Sequence, residues 1–124
     1  MQKRKAMQWV KALRSGKYKQ GHENLRKVDK QGETHHCCLG VLGEISGCDT
    51  ADLNENGYLD ASLMEECGLK SEEGKAFNEF DEEVGVKIRN GNGLEDYESL
   101  ADANDCGSSF KRIATWIEKN YKLL

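Results

Sequence analysis

Residues 37–45, with the sequence CCLGVLGEI, form an apolar stretch rich in small residues near the middle of this chain. The apolar positions 38, 41, 42 and 45 follow helical spacing, so we predict a buried helix of about two turns. Gly40 and Gly43 each cost such a helix roughly 1 kcal/mol relative to Ala. A helix that keeps both glycines is expected to pack closely against a neighbouring element at that face.

Helical patterns also lie on both sides of this stretch. We predict helices over four other segments, residues 3–15, 60–67, 94–103 and 108–121. In the first of them, Met7, Val10 and Leu13 recur on one stripe, and Gly16 follows where a left-handed cap is expected. Ser108 is predicted to cap the last helix.

Strand signals are weaker. Residues 25–29 and 33–37 indicate two short strands joined as a hairpin, and alternating apolar residues favour another strand within 77–89. Residues 90–93, NGNG, are predicted to be the most flexible stretch. Because no repeat or proline-rich linker interrupts the chain, we predict a single domain over residues 1–124. Its expected class is α+β, mostly helical, with about four to five helices and a small β-hairpin or sheet.

Composition and charge exclude several classes of protein. Of the 124 residues, 18 are Lys or Arg and 22 are Asp or Glu, which gives a formal net charge of -4. This charge argues against general nucleic-acid binding, which needs a basic face to release counterions. No apolar run approaches the roughly 18–20 residues of a membrane span, and none follows the basic start as in a signal peptide. We therefore expect a cytoplasmic protein with no membrane partner, whose five cysteines are reduced.

The charge is unevenly distributed along the chain. Residues 1–30 carry most of the positive charge, whereas residues 44–105 carry most of the negative charge. The net charge thus conceals a basic N-terminal segment on an acidic body. A local pocket for a small anion remains compatible with the composition.

The run His35-His36-Cys37-Cys38 contains residue types that bind zinc. Zinc sites are usually built from ligand pairs two to four residues apart, whereas adjacent residues on a strand point to opposite faces. The other cysteines form no second pair. We therefore predict neither a metal site nor a cofactor.

A cysteine nucleophile is a second interpretation of the same run. Cys37 or Cys38 lies at a predicted helix N-terminus, where the helix dipole lowers a thiol pKa, and Gln20 could donate to an oxyanion. A papain-like order needs a histidine after the cysteine, but all three histidines precede Cys38. We favour a protein that is not an enzyme and keep the thiol mechanism as a minority alternative.

The last two predicted helices, separated by a short turn at Gly107, suit a helix-turn-helix. The second helix would expose several cations, but the first carries acidic residues that would repel the DNA backbone. These acidic residues are Glu95, Asp96 and Glu98, and the cations are Lys111, Arg112 and Lys119. A packed helical hairpin is the preferred interpretation, and a DNA-binding regulator remains an alternative.

Three motifs give the chain a family resemblance. They are WVKALRSGKYKQG at residues 9–21, CCLGVL at 37–42 and NDCGSSF at 104–110. In this order they resemble a group of small tailed-phage proteins of unassigned function, with W-x-x-A-L-R-S-G-x-Y-x-Q-G, C-C-L-G-V-L and N-D-x-G-x-S-F motifs. The resemblance implies a phage origin. Because the motifs lie on predicted loops and helix ends, they suggest a shared site, although Asn104 and Asp105 are equally suited to cap helices.

A ligand site for a phosphate and a base is predicted near the N-terminus, where cationic groups, an aromatic face and an amide lie among glycines. The predicted ligand-binding residues are Lys17, Tyr18, Gln20, Arg26, His36, Asn104 and Asp105. By analogy with other small phage proteins, the leading hypothesis is a counter-defence binding protein that sequesters a nucleotide-derived immune signal in the host cytoplasm. A homo-oligomer is compatible with this role.

The rival hypothesis is an inhibitor of a host defence or regulatory protein. It would use acidic residues to approach a basic partner. The candidate acidic residues are Glu65, Glu66, Glu72, Glu73, Asp81, Glu82 and Glu83.

Overall fold

A computed structural model describes residues 1–54 and 56–124, which form six α-helices, seven short strands and a C-terminal 3₁₀ helix. The helices are α1 (Lys3–Arg14), α2 (Cys38–Ile45), α3 (Thr50–Leu53), α4 (Ala61–Cys67), α5 (Leu100–Asp105), α6 (Phe110–Asn120) and the 3₁₀ helix Tyr121–Leu123. The strands are β1 (Lys19–Gln20), β2 (Arg26–Val28), β3 (Thr34–His36), β4 (Ala76–Phe77), β5 (Glu83–Val84), β6 (Val86–Asn90) and β7 (Gly93–Tyr97). The predicted α+β class is confirmed, with α3 as an additional helix.

The core lies where α1 packs on both α6 and α2. The buried stripe of α1 consists of Ala6, Trp9, Val10 and Leu13, whereas Met7 is only half-buried. The observed buried stripe is therefore shifted from the predicted one, because it includes Trp9 and leaves Met7 at its edge. Trp9 satisfies its own polar group there: its Nε1 donates to the Cys38 carbonyl oxygen at 2.8 Å.

The predicted central helix is confirmed as α2, whose residues 38–43 are all buried. Its glycines permit close approach, as expected. A Cβ at Gly40 would collide with the carbonyl oxygen of Leu25, and one at Gly43 would lie 2.7 Å from Leu53 Cδ2. The missing side chains therefore allow the helix to lie against the backbone that leads into β2.

The predicted N-terminal hairpin is also confirmed, since β2 and β3 pair antiparallel. A third strand, β1, pairs parallel with β3, so the sheet order is β1-β3-β2. This strand lies within the first motif, residues 9–21, which was expected to lie on a helix end and a loop. No helix of the described residues is long and apolar enough to cross a bilayer.

The predicted helix over 94–103 is wrong in its first half. Residues 93–97 form β7, which pairs antiparallel with β6, and residues 90–93 make the turn between them. Helix α5 starts only after Ser99, whose Oγ accepts from Asp102 N at 3.1 Å. Pairing with β6 outweighs the low strand propensity of the acidic residues in β7, and that pairing has no local signal.

The cap of the last helix also differs from the prediction. Ser109, not Ser108, caps α6, because its Oγ accepts from Arg112 N at 3.3 Å. Ser108 is fully buried, and its Oγ lies 3.3 Å from the Tyr97 hydroxyl. The helix cap is thus one residue later than predicted. Ser108 lies in the core rather than at the helix end.

Candidate functional site

Four of the seven predicted ligand residues line one cleft near the N-terminus. Lys17, Tyr18, Arg26 and His36 meet around a cavity of about 210 Å³, and Thr34 and Glu44 complete its lining. We call these six residues the N-terminal cleft. Lys17, Tyr18 and Arg26 are thus brought together with His36, whereas the predicted residues Gln20, Asn104 and Asp105 do not line this cavity.

Strand register positions His36 in the cleft. It lies on the central strand β3, directly opposite Arg26 on β2, so the two side chains share one face of the sheet. His36 is only 5% exposed. Its Nε2 lies 3.0 Å from Glu44 Oε2 on α2. Its Nδ1 is buried and has no hydrogen-bond partner among residues 1–54 and 56–124.

The other cleft residues bring a ring and two cations to this histidine. The Tyr18 and His36 rings meet edge to face, with centroids 5.1 Å apart and planes at 84°. Lys17 Nζ lies 5.5 Å from the centre of the Tyr18 ring, within cation–π range. Arg26 Nη1 donates to Asn54 Oδ1 at 2.8 Å, which orients the guanidinium.

Glu44 and Asn54 were missed by the sequence reasoning. Glu44 lines the cleft and Asn54 contacts its Arg26 because α2 and the end of α3 fold back against the sheet. Glu44 is eight residues from His36, and Asn54 is 28 residues from Arg26. No short motif connects either pair, so nothing in the local sequence could have indicated them.

The other predicted residues form a separate buried network around Asn104, which is 0% exposed. Asn104 Oδ1 accepts from Gln20 Nε2 at 3.0 Å and from Cys38 N at 3.1 Å. Asn104 Nδ2 donates to the Gly21 carbonyl oxygen at 2.8 Å. All three sequence motifs therefore meet at this one side chain.

Gln20 extends the same network to the start of α6. Its Nε2 also donates to the Ser108 carbonyl oxygen at 2.7 Å, and its Oε1 accepts from Phe110 N at 3.1 Å. We call Gln20, Gly21, Cys38, Asn104, Ser108 and Phe110 the motif junction. Because these polar atoms bond to one another, the junction fastens β1, α2 and the α5–α6 turn together. Asp105 lies beside it, with Oδ1 accepting from Glu23 N at 2.8 Å.

The two neighbouring thiols are not activated. Burial raises the pKa of Cys37 to about 11, and it raises the pKa of the fully buried Cys38 well above its usual value. The expected lowering of the thiol pKa is therefore wrong. Cys37 does cap α2, since its Sγ accepts from Gly40 N at 3.4 Å, but desolvation of the thiolate outweighs the helix terminus.

A polar cluster at the hairpin turn holds groups of metal-ligand type. Ligand atoms of Asp29, Glu33 and His35 all lie within 4.8 Å of one another. These groups already have partners: His35 Nε2 lies 3.0 Å from Asp29 Oδ2, and Lys19 Nζ lies 2.6 Å from Glu33 Oε1. Hydrogen bonds from the Glu33 backbone and from His35 lower the pKa of Asp29. His35 thus pairs with hairpin carboxylates rather than with the cysteines that follow it in sequence.

Two alternative functions were considered, an inhibitor with an acidic surface and a helix-turn-helix DNA-binding regulator. The structure places the residues on which they depend as follows. Glu65 and Glu66 lie on α4, residues 72–73 precede β4, and residues 81–83 lead into and begin β5. Helix α5 has only six residues, and Glu95 and Asp96 lie on β7 instead of on a first DNA-binding helix. The cations of α6 face a second cleft beside the β6–β7 hairpin.

The fold and the clefts define a small α+β domain with polar and cationic cavities at its surface. The profile of the family described as Domain of unknown function (DUF8296) matches residues 1–121, so the chain belongs to that family. No curated protein matches the sequence. No solved structure matches it either.

Proposed function

We propose that this protein is a binding protein that takes one end of a small anionic, nucleotide-like ligand into the N-terminal cleft. The observation that carries the proposal is the buried His36 Nδ1, which has no partner in the described residues although it belongs to a ring that lines the cleft. A buried polar atom without a hydrogen bond costs about 1–3 kcal/mol. A ligand group that bonds to this atom recovers that cost.

The charges of the cleft indicate what kind of ligand suits it. Lys17 and Arg26 supply two cations, while the single carboxylate, Glu44, is already paired with His36. Cationic side chains of this kind make charge-assisted bonds to phosphate. The imidazole of His36 is suited instead to accept from an N–H group of a nitrogen heterocycle, through Nδ1. A ligand with both a phosphate and a nitrogen heterocycle uses both halves of the cleft.

The size of the cavity limits how much of the ligand is enclosed. About 210 Å³ is less than the roughly 300–1,000 Å³ of sites that surround a whole small ligand. The cleft therefore holds one end of the ligand, and the rest extends over the rim formed by Lys17, which is exposed. The half-buried Tyr18 ring offers an aromatic surface at the same place.

The proposed biological role rests on the motif resemblance to small tailed-phage proteins and on analogy with other proteins of that kind. We propose that the ligand is a nucleotide-derived immune signal of the host and that binding withdraws it, so that the protein acts in counter-defence. No catalytic group is needed for this role. The high thiol pKa values of Cys37 and Cys38 are in keeping with binding without covalent chemistry.

Isothermal calorimetry tests the proposal with cyclic nucleotides, ADP-ribose derivatives and inorganic phosphate as titrants. We expect heat with at least one nucleotide and weaker or no heat with phosphate alone. Lys17→Ala and Arg26→Ala should each weaken binding about tenfold or more, as for charge-assisted contacts. Lys11→Ala removes an exposed cation of α1 outside the cleft and should change nothing. Absence of heat with every titrant contradicts the proposal.

A further inference from the structure

A second cleft lies between the β6–β7 hairpin and α6, and it carries a concentration of positive charge. Its volume is about 460 Å³. Its cationic residues are Lys87, Arg89, Lys111, Arg112 and Lys119. No carboxylate lines it, although the whole protein has a net charge of -4. We call it the basic cleft.

The five cations of the basic cleft have no ion-pair partner within 4.0 Å in the described part of the chain. The carboxylates on α6 and β7 are otherwise engaged or lie outside the cleft. Glu118 pairs with Arg14 at 2.7 Å, and Glu95 accepts from the Tyr97 hydroxyl. Asp96 stands opposite Lys87 in the strand register but lines a different cavity. Such a group of like charges is stabilised when an acidic partner neutralises it.

The cleft also has an apolar lining. Ile88 and Trp116 are nearly buried there, and Leu94 stands at its side with 61% of its surface exposed. Trp116 is only 7% exposed, so it offers no ring face on which nucleic-acid bases could stack. Cations beside the exposed Leu94 suit an acidic protein segment that carries an apolar side chain better than they suit a nucleic-acid strand.

The same chain displays a segment of this chemistry. Residues 79–83, with the sequence EFDEE, span most of the β4–β5 turn and the first residue of β5, and they have four carboxylates around Phe80. Phe80 is 74% exposed, more than Leu94 at 61% or Tyr58 at 54%. Glu83 pairs with Lys75, whereas Glu79 and Asp81 have no ion pair among the described residues. We call residues 79–83 the acidic turn.

The acidic turn is held in one conformation by Asn78. Asn78 Oδ1 accepts from Phe80 N at 2.9 Å and from Glu82 N at 3.0 Å, and Asn78 N donates to the Glu82 carbonyl oxygen at 2.9 Å. A segment that is already ordered loses little conformational entropy when it binds. An exposed phenylalanine on a rigid acidic turn is therefore well prepared for docking.

We infer that the protein self-associates through these two surfaces, with Phe80 and the carboxylates of one copy docked in the basic cleft of a second copy. Each copy carries both surfaces, so the acidic turn of one copy meets the basic cleft of a second, in a closed dimer or in a longer head-to-tail assembly. The cations neutralise the acidic turn, and the exposed Leu94 at the side of the cleft contacts the phenyl ring. This contact does not involve the N-terminal cleft. Self-association and ligand binding can therefore be tested independently of each other.

Analytical ultracentrifugation over a range of protein and salt concentrations tests the inference. The average molecular mass of the wild-type protein in solution should rise with protein concentration. It should fall with salt concentration, because the contact is between opposite charges. Phe80→Ser should weaken association at least tenfold, as for loss of a central aromatic anchor. Phe80 is exposed, so this variant should keep the wild-type circular dichroism spectrum.

Two charge-reversal variants and their mixture make the test specific. The first variant reverses two charges of the basic cleft and carries Lys111→Glu and Lys119→Glu. The second reverses two charges of the acidic turn and carries Glu79→Lys and Glu82→Lys. Each variant alone should be monomeric, while an equimolar mixture should associate, because every cleft then meets a turn of opposite charge. Control pairs at exposed sites elsewhere, Glu65→Lys with Glu66→Lys and Lys27→Glu with Lys30→Glu, should associate as the wild type does.

Three results overturn the inference. One is a wild-type protein that stays monomeric at all concentrations, and another is an oligomer that none of these variants weakens. The third is a monomer that binds labelled single-stranded DNA and loses that binding when Lys111 and Lys119 are reversed, which would assign the basic cleft to nucleic acid.

Discussion

The motif junction and the N-terminal cleft contain similar polar side chains from neighbouring parts of the sequence, but the hydrogen-bonding groups of these side chains find partners in the junction and not always in the cleft. In the junction, the amide of Asn104 bonds to Gln20, Cys38 and Gly21 inside the protein. In the cleft, His36 Nδ1 has no partner among the described residues and lies in a ring beside two cations. A network that satisfies its own hydrogen bonds stabilises the fold, whereas a buried polar atom without a partner lacks that stabilisation. Residues predicted as one site therefore lie in two different environments.

The largest effect is expected from Asn104→Ala in the motif junction. The substitution leaves the buried Cys38 N–H and Gly21 carbonyl without this partner, and it should reduce the free energy of unfolding by about 3 kcal/mol. Urea denaturation measures the change. Asp105→Ala, at the exposed neighbour, is the control and should cost less than about 1 kcal/mol. Equal effects of the two substitutions would contradict a structural role specific to Asn104.

Gly40→Ala should also destabilise the fold, by about 2 kcal/mol, because the added methyl group meets the Leu25 carbonyl. Helix propensity alone predicts the opposite sign, a gain of about 1 kcal/mol. Gly93→Ala is a matched comparison, since nothing lies within 4 Å of a Cβ at that position. The midpoint of thermal unfolding distinguishes the two, and a stabilised Gly40→Ala protein would disprove the close packing of α2.

The buried thiols predict a pH dependence of stability. The pKa of Cys37 is about 11 in the folded protein and about 8.5 in the unfolded chain, so the unfolded chain ionises first as the pH rises. Stability should therefore fall between about pH 8.5 and pH 11, by up to about 1.4 kcal/mol per pH unit for this thiol. Urea denaturation at pH 7 and pH 10 measures the fall.

Cys37→Ala serves as the control for that pH dependence and should make it shallower. Cys106→Ala should alter it less, because Cys106 is exposed in the folded protein. A stability that does not change between pH 8.5 and pH 10 would show that the thiols near the motif junction are not buried as described.

The smallest effect concerns the charge of the N-terminal cleft. Glu44→Gln keeps a hydrogen-bonding group next to His36 but removes the only carboxylate of the cleft. An anionic ligand should then bind about threefold more tightly, while the free energy of unfolding changes by less than about 1 kcal/mol. Calorimetry with the nucleotide that binds best measures the affinity. Weaker binding of the anion would indicate that the Glu44 carboxylate itself accepts a hydrogen bond from an N–H group of the ligand.

Much of the fold could be predicted where a segment is amphipathic over several turns. The helices α1, α2 and α6 and the β2–β3 hairpin were all indicated by apolar spacing or turn residues. The β6–β7 hairpin was misread at residues 94–97, because its second strand is mostly polar and exposed and becomes a strand only through its partner. Short strands such as β1 carry too few residues for any period to be recognised.

The sequence by itself determined that the chain has a helical core, that Gly40 needs a close neighbour and that Lys17, Tyr18, Arg26 and His36 are candidates for one site. These conclusions rest on residue type and spacing, which are local properties. Only the tertiary structure decided that Asn104 and Gln20 bond to each other rather than to a ligand, since they lie 84 residues apart. It also raised the thiol pKa of Cys37, because desolvation depends on what surrounds a group in space and not on its neighbours in the chain.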